Sequence, residues 1–111
     1  GSMRTLKFRR YNVYLKEMDE PIDWLPGERT DTDFWMQFTG LLDRHGKEIY
    51  EGDIVRHSYY GKGEVSFGDG YFKVVNLSGG EKYQSYKKMR LNAMQGDGEV
   101  IGNIYENPEL L

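Results

Sequence analysis

Gly63-Glu64-Val65-Ser66-Phe67, Gly68-Asp69-Gly70 and Tyr71-Phe72-Lys73-Val74-Val75 follow one another without interruption. Val65 and Phe67 alternate with Glu64 and Ser66, and Phe72 and Val74 alternate with Tyr71 and Lys73, which is the period of two that a half-buried strand requires. The connection between the two runs carries two glycines around an aspartate, so the stretch predicts a β-hairpin closed by a three-residue loop.

Working outward, the same punctuation recurs. Upstream, Ile54-Val55-Arg56-His57 reads as a strand entered through Glu51-Gly52-Asp53, and Glu48-Ile49-Tyr50 leads into that turn. Asp43-Arg44-His45-Gly46 is a turn whose Gly46 is free to take positive φ. Phe34-Trp35-Met36-Gln37-Phe38 is rich in strand formers, and Leu6, Phe8 and Arg10 alternate with Lys7, Arg9 and Tyr11. Between them, Asn12–Asp33 carries Pro21, Pro26 and Gly27 and reads as a loop with a short helical turn, pinned by Trp24 and Leu25. Downstream, Asn76–Gly80 reads as a loop and Gly96-Asp97-Gly98 as a turn before a final strand, Glu99–Tyr105. Lys82–Leu91 suits helix and strand equally: Tyr83, Tyr86 and Arg90 have helical spacing, while Tyr and Ser also suit a strand. Pro108 stops the last strand and leaves Glu109-Leu110-Leu111 as an apolar latch.

About five or six short strands at roughly ten-residue spacing, without a long helical period, predict a mainly β fold: a small SH3-like or related β-barrel with an irregular N-terminal arm. Closure hides one apolar face and removes edges that would invite aggregation. Ile49, Ile54, Val65, Phe67, Phe72, Val74, Val100, Ile101 and Ile104 are the expected core. Residues 3–111 read as one domain, with an N-terminal strand and acidic loop over 3–33 and the barrel core over 34–111. Gly1 and Ser2, ahead of Met3, read as the remnant of a removed tag.

The chain has 111 residues, 38% hydrophobic and 30% charged, which fits one core of ordinary size. It contains no cysteine, which excludes disulfides, a thiolate zinc site, an iron–sulfur cluster and a cysteine nucleophile. His45 and His57 are its two histidines, too few for a three-histidine zinc site. No metal and no cofactor are expected. No run approaches the ~18 apolar residues of a membrane span, so a soluble intracellular protein without membrane contact is expected. The net charge of −3 argues against long duplex DNA as a partner.

Charge is nevertheless blocked. Arg4, Lys7, Arg9 and Arg10 open the chain without an acid, Glu17–Asp33 holds seven acids against Arg29, and Lys82–Arg90 holds four bases. Such blocks pair with one another in many folds, and a ligand-steering surface is the sharper reading.

Catalytic constellations are weak. Ser58 follows His57, but neighbours in a strand point to opposite faces, which places the imidazole badly to activate the hydroxyl. Glu51 and Asp53 suit a turn better than a shared acid–base pocket. Gly61-Lys62-Gly63 is too short for a phosphate-binding loop and reads as a β-turn. His45 reads as a solvated turn residue. No catalytic residue is assigned, and the protein is expected not to be an enzyme.

Aromatic–basic runs favour binding. Arg56, His57, Tyr59, Tyr60, Lys62, Tyr71 and Lys73 gather around the predicted hairpin system, and Tyr83, Tyr86, Lys87, Lys88 and Arg90 form a second run. Tyrosine faces stack on bases and cations neutralise phosphates. The plainer reading is that these tyrosines and lysines merely cover the barrel. As a site, the two runs suit a compact anionic ligand at a locally positive pocket.

Two segments carry a family resemblance. Met36-Gln37-Phe38-Thr39-Gly40-Leu41, followed by Asp43-Arg44-His45-Gly46-Lys47-Glu48-Ile49-Tyr50-Glu51-Gly52-Asp53-Ile54-Val55, resembles the central signature of the YopX family of phage and prophage proteins. Glu99-Val100-Ile101-Gly102-Asn103-Ile104-Tyr105-Glu106-Asn107-Pro108-Glu109-Leu110-Leu111 resembles that family's C-terminal signature, and Arg4-Thr5-Leu6-Lys7-Phe8-Arg9 its start. Tyr11 stands where a tryptophan or similar aromatic is expected, and Leu42 where a polar residue is more usual. The resemblance implies a β-rich barrel fold, a viral origin and action in the cytoplasm of an infected bacterial host. It transfers no catalytic residue. Physically, both signatures look architectural: Gly52 permits a bend, the Asp53 carboxylate can accept from nearby backbone N–H groups, and Asn107-Pro108 favours a turn.

Function is therefore expected to be non-catalytic binding. The leading expectation is sequestration of a small nucleotide-type signal of host defence. The second is an adaptor or inhibitor that grips a host protein through the acidic arm with Trp24 and Trp35 as anchors. The third is a nucleic-acid-binding regulator. Short edges and a tyrosine-rich surface also suggest a homo-oligomer.

Overall fold

The computed structural model describes residues 6–23, 32–79, 88–94 and 96–111. Their strands fall into two sheets, every pairing antiparallel. The four-stranded sheet contains β1 (Phe8–Asn12), β2 (Glu17–Met18), β3 (Asp33–Leu42) and β4 (Glu48–Tyr50), in the order β2-β1-β3-β4. The five-stranded sheet contains β5 (Asp53–His57), β6 (Gly61–Gly68), β7 (Tyr71–Gly79), β8 (Lys88–Arg90) and β9 (Glu99–Asn103), in the order β8-β7-β6-β5-β9. The fold is mainly β, as the sequence predicts, with one sheet curled into a half-barrel and a second sheet beside it.

The hairpin predicted over Gly63–Val75 is β6–β7. Gly68 pairs with Tyr71, so the loop is the two residues Asp69 and Gly70, with φ of 56° and 85°. Positive φ at both central positions is the type I′ geometry, which matches the twist of the flanking strands. Gly68 therefore belongs to the ladder and not to the turn. The expected loop at Asn76–Gly80 is strand as far as Gly79, which pairs with Gly61. Between Lys62↔Ser78 and Glu64↔Val75 the ladder absorbs one extra residue on β7. Asn76, at φ 57°, takes up this bulge in a conformation that asparagine tolerates better than most residues. Opposite the bulge the strands come so close that a Cβ on Gly63 would lie 2.6 Å from the Val75 carbonyl oxygen.

The acidic segment is more ordered than its composition suggests. Asn12 Oδ1 accepts from the N–H groups of Tyr14 and Leu15, turning the chain so that Glu17 and Met18 pair back onto Asn12 and Tyr11. Ile22 then exchanges two backbone hydrogen bonds with Phe8, at 2.7 and 2.8 Å. Trp24 and Leu25 lie outside the described residues.

The central signature is where the chain crosses from one sheet to the other. In β3, Thr39 Oγ1 donates to the Ile49 carbonyl at 2.7 Å beside Gly40, whose φ of 85° marks the irregularity between Phe38 and Leu42. The Glu51 N–H donates to Gln37 O of β3 at 2.9 Å, and the Gly52 N–H donates to Val65 O of β6 at 2.8 Å. Ile104 N–H closes on Gly52 O at 2.9 Å. One tight turn is thus tied to both sheets and to the chain beyond β9, and Gly52 holds it at φ 88°. Asp53 accepts from the Tyr50 N–H at 2.8 Å, the carboxylate role the sequence predicts.

The C-terminal signature builds a second fixture. Asn103 Oδ1 accepts from the N–H groups of Tyr105 and Glu106, while Asn107 Oδ1 accepts from the Asn103 N–H. A Cβ at Gly102 would meet Asn107 Oδ1 at 2.6 Å, which explains why glycine precedes Asn103. Pro108–Leu110 form a short 3₁₀ turn. Leu111 remains half exposed, so the expected apolar latch is a loose one.

Two apolar clusters fill the interior. Val55, Val65, Val74 and Leu77 of the five-stranded sheet cluster with Ile49 of β4 and Leu91 of the 3₁₀ turn, and Tyr11, Met36, Phe38 and Tyr50 of the four-stranded sheet form the second cluster. Ile49, Ile54, Val65 and Val74 are buried as expected, whereas Phe67 is exposed. Lys88–Arg90 form β8, a 3₁₀ turn follows over Leu91–Met94, and the earlier part of Lys82–Leu91 lies outside the described residues.

Candidate functional site

At the end of β5 the chain turns through Ser58, Tyr59 and Tyr60 and returns as β6. The ladder puts Arg56 opposite Lys62 and Lys62 opposite Ser78, so the three stand in one row across β5, β6 and β7. Cross-strand partners share a face. Arg44 from the Asp43–Gly46 turn and Asp97 from the Gly96–Gly98 turn complete the walls of a cleft of about 420 Å³.

Asp43 holds the first of these turns. It is buried and accepts from the N–H groups of His45, Lys47 and Val100 at 2.8, 2.9 and 3.0 Å. Burial works to raise its pKa, but these three donors and the nearby His45 outweigh it, and the net shift is downward. Arg44 is thereby fixed at the rim, and Gly46 takes φ 81° as predicted.

His57 is buried against Tyr60, with ring centroids 4.7 Å apart. Its Nδ1 accepts from the Tyr59 N–H at 3.1 Å, so Nε2 is the ring nitrogen positioned to donate. Nε2 lies 3.8 Å from Asp97 Oδ2. Ser58 Oγ donates to that same oxygen, and the Ser58 N–H approaches it at 3.4 Å. The expectation that His57 and Ser58 face apart therefore fails: β5 ends at His57, and the turn brings both to Asp97. They are still not linked as base and nucleophile, because the hydroxyl is given to the carboxylate and not to the imidazole.

Charge at the cleft opposes that of the whole chain. Arg44, Arg56 and Lys62 line it against one carboxylate, Asp97, although the chain carries −3. Glu99 stands behind, taking Arg56 at 2.5 Å, His45 at 3.3 Å and Arg44 at 3.7 Å. The Arg56 and His45 hydrogen bonds hold the Glu99 carboxyl below its usual range, and the Ser58 hydrogen bond does the same for Asp97. Lys62 makes no ion pair among the described residues.

The predicted residues thus divide. Arg56, His57, Tyr59, Tyr60 and Lys62 come together at the cleft or its turn. Tyr71 and Lys73 lie toward the opposite end of the β6–β7 hairpin, roughly 20 Å and 13 Å along the strand from Lys62 at the rise of an extended strand. There Arg90 joins them: its guanidinium lies 4.4 Å from the Tyr71 ring centroid, and Lys73 Nζ lies 5.3 Å from it. A shallower cleft of about 270 Å³, lined by Tyr71, Phe72, Arg90 and Leu41 among others, opens beside them. Lys88 is on β8 opposite Val75, while Tyr83, Tyr86 and Lys87 lie outside the described residues. Gly61-Lys62-Gly63, read as a β-turn, is instead the start of β6. No local pattern in the sequence points to Arg44, Ser78 or Asp97 as cleft residues; the two turns that carry Arg44 and Asp97 are legible in it, but not their meeting.

No group of three or more potential ligands capable of holding a metal occurs among the described residues. Likewise, no helix there is long and apolar enough to cross a membrane.

Among solved structures, the chain is similar to protein EF1440 from Enterococcus faecalis, at 27% identity and a TM-score of 0.64, over 96% of this chain and 97% of that one. It is also similar to protein yopX from Bacillus subtilis, at 21% identity and a TM-score of 0.63, over 98% of this chain and 99% of that one. No curated protein matches the sequence. The family model described as YopX protein matches residues 5–111, nearly the whole length, and covers the transition turn, the Asn103–Asn107 fixture and the cleft alike: the chain belongs to the YopX protein family.

Proposed function

We propose that this is a phage accessory protein that works without catalysis in the cytoplasm of the infected bacterial host, capturing a small nucleotide-type defence signal in the cleft at the Ser58 turn. The observation that carries the reading is the gathering of Arg44, Arg56 and Lys62 around one pocket in a chain of charge −3. Cations in a concave, locally positive site neutralise phosphate, and Tyr59, about half exposed in the turn that forms the cleft, places an aromatic ring in the same segment. Nanomolar retention corresponds to about −12 kcal/mol, which a pocket shared between copies in a homo-oligomer would supply more readily.

Thermal-shift screening against mono-, di- and cyclic nucleotides tests this reading. A ligand that binds only the folded state at a hundred times its Kd stabilises it by about 2.7 kcal/mol, which raises Tm by several degrees or more in a domain of this size. A flat response across the panel contradicts capture, and conversion of a nucleotide to product would replace it with an enzymatic role. Light scattering reads the oligomeric state.

One observation favours the adaptor reading as a second. Tyr14 and Leu15 are 81% and 64% exposed at the tip of the β1–β2 hairpin, beside the acidic segment. This tip is a better anchor for a host protein than Trp35, which is half-buried with the Arg10 guanidinium 5.9 Å from its ring. Recovery of a host protein lost on Tyr14→Ala, together with a flat nucleotide response, would select it.

A further inference from the structure

Four donors in the cleft converge on one exposed carboxylate. The Ser58 hydroxyl and N–H both reach Asp97 Oδ2, His57 Nε2 lies 3.8 Å from that atom, and Arg44 Nη1 lies 3.7 Å from Oδ1. The carboxylate itself is carried on a short turn with a glycine on either side, Gly96 at φ 97°. Asp97 differs in kind from the other prominent aspartates. Asp43 and Asp53 are buried and satisfy backbone N–H groups that hold two turns in place. Asp97 is 45% exposed, and both of its hydrogen bonds come from Ser58, an exposed residue of the turn that lines the cleft.

We propose that Asp97 is an internal stand-in for the ligand's phosphoryl group: on binding, a terminal phosphate takes over the donors of Ser58, His57 and Arg44 while the carboxylate swings out to solvent. This inference rests on the nucleotide reading above and narrows it. A terminal phosphomonoester offers three acceptor oxygens and close to two negative charges, which suits a seat of hydroxyl, amide, imidazole and guanidinium donors. A cyclic phosphodiester offers two free oxygens and one charge, and fills the seat less well. The ligand class is therefore a nucleotide ending in a phosphomonoester. Displacing a like-charged carboxylate opposes binding, so the native chain holds such ligands less tightly than its donor set allows.

Calorimetric titration of the full chain with 5′-AMP and 5′-GMP, each beside its 3′,5′-cyclic counterpart, tests the proposal. Asp97→Asn is compared with Asp69→Asn, which removes one exposed carboxylate at the far tip of the β6–β7 hairpin and leaves the seat occupied. The expected result is preference for at least one open monophosphate over its cyclic form, tightened about tenfold by Asp97→Asn and less than about threefold by Asp69→Asn. Tm should stay essentially unchanged in both variants. Equal tightening by the two variants, or none by Asp97→Asn, overturns the stand-in role while wild-type binding leaves nucleotide capture intact. Preference for the cyclic form overturns the phosphomonoester assignment. No binding of any of these nucleotides by wild type or Asp97→Asn overturns the proposal, and a flat response across the wider nucleotide panel removes the capture reading with it.

Discussion

Arg9 Nη2 lies 2.6 Å from Asp53 Oδ1, joining β1 of one sheet to β5 of the other. Their side chains are 13% and 1% exposed, and the guanidinium also lies 4.5 Å from the centroid of the Tyr50 ring. The other Asp53 oxygen accepts from the Tyr50 N–H, so one carboxylate fastens the inter-sheet ion pair and the turn between the sheets. Burial pushes the Asp53 carboxyl pKa up, and the Arg9 charge pulls it back only in part. A raised native pKa means that Asp53's contribution to stability is fully present below the unfolded carboxylate value and is lost as pH rises through the native one.

Breaking this pair from one side should therefore be costly. Arg9→Met leaves the Asp53 carboxylate, 1% exposed, buried without its counter-charge, and the expected loss is about 3–5 kcal/mol. Arg9→Met combined with Asp53→Asn should lose clearly less than the sum of the single variants, since no charge is then stranded. Urea unfolding of the four proteins measures the coupling; strictly additive losses would show that the pair does not act as a unit.

Two glycines should differ in their tolerance of a methyl group for reasons visible in what each Cβ meets. At Gly63 it would meet the Val75 carbonyl oxygen at 2.6 Å and Val74 Cγ1 at 2.7 Å, inside a ladder that cannot spread. At Gly102 it would meet Asn107 Oδ1 at 2.6 Å and Asn107 Cβ at 2.9 Å, so relief needs the Asn107 backbone to shift as well as its amide to give up the bond to the Asn103 N–H. Gly63→Ala is expected to cost about 3 kcal/mol and Gly102→Ala about 2–3 kcal/mol. Gly46→Ala, with nothing within 4 Å but φ at 81°, should cost about 1 kcal/mol. Equilibrium unfolding gives the order directly, and equal losses at Gly63 and Gly46 would contradict the close approach.

The Asp43 turn should reveal itself through pH. Its native pKa is lowered, so its contribution is fully present above the unfolded aspartate value of about 3.9 and is lost as pH falls through the lower native one. Asp43→Asn should cost about 1–3 kcal/mol at pH 7, because acceptor capacity for three backbone donors is reduced. The gap in Tm between wild type and variant should begin to narrow below about pH 4 and go on closing as pH falls through the lowered native value, where wild-type Asp43 is neutral too. A gap that stays constant from pH 7 to pH 3 would remove the ionised carboxylate from the account.

What the sequence could reveal depended on how local the cause was. Asp69-Gly70 announces a hairpin because the turn chemistry sits in the turn. Glu17-Met18 announces nothing, since a two-residue strand has no period and its register comes from Asn12 and Ile22. Asn76-Leu77-Ser78-Gly79 looks like a loop in composition, yet buried Leu77 and a single positive φ at Asn76 make it a bulged strand. Arg9 and Asp53 are 44 residues apart, and no local pattern links them. The cleft was half legible for the same reason: Arg56, His57 and Lys62 share one strand pair, whereas Arg44 and Asp97 arrive from turns far along the chain. Tyr71 and Lys73 were grouped with them because a hairpin brings its strands together but keeps its two ends apart.

Amide chemical-shift mapping by NMR with 5′-AMP and 5′-GMP tests most directly whether the cleft at the Ser58 turn is a nucleotide seat. The account predicts saturable shifts concentrated on residues 56–62, on Ser78 and on Asp97, abolished by Arg56→Ala combined with Lys62→Ala in a protein that keeps its fold. Saturable shifts centred on Tyr71 and Arg90, or no saturable shift with either nucleotide, would contradict it.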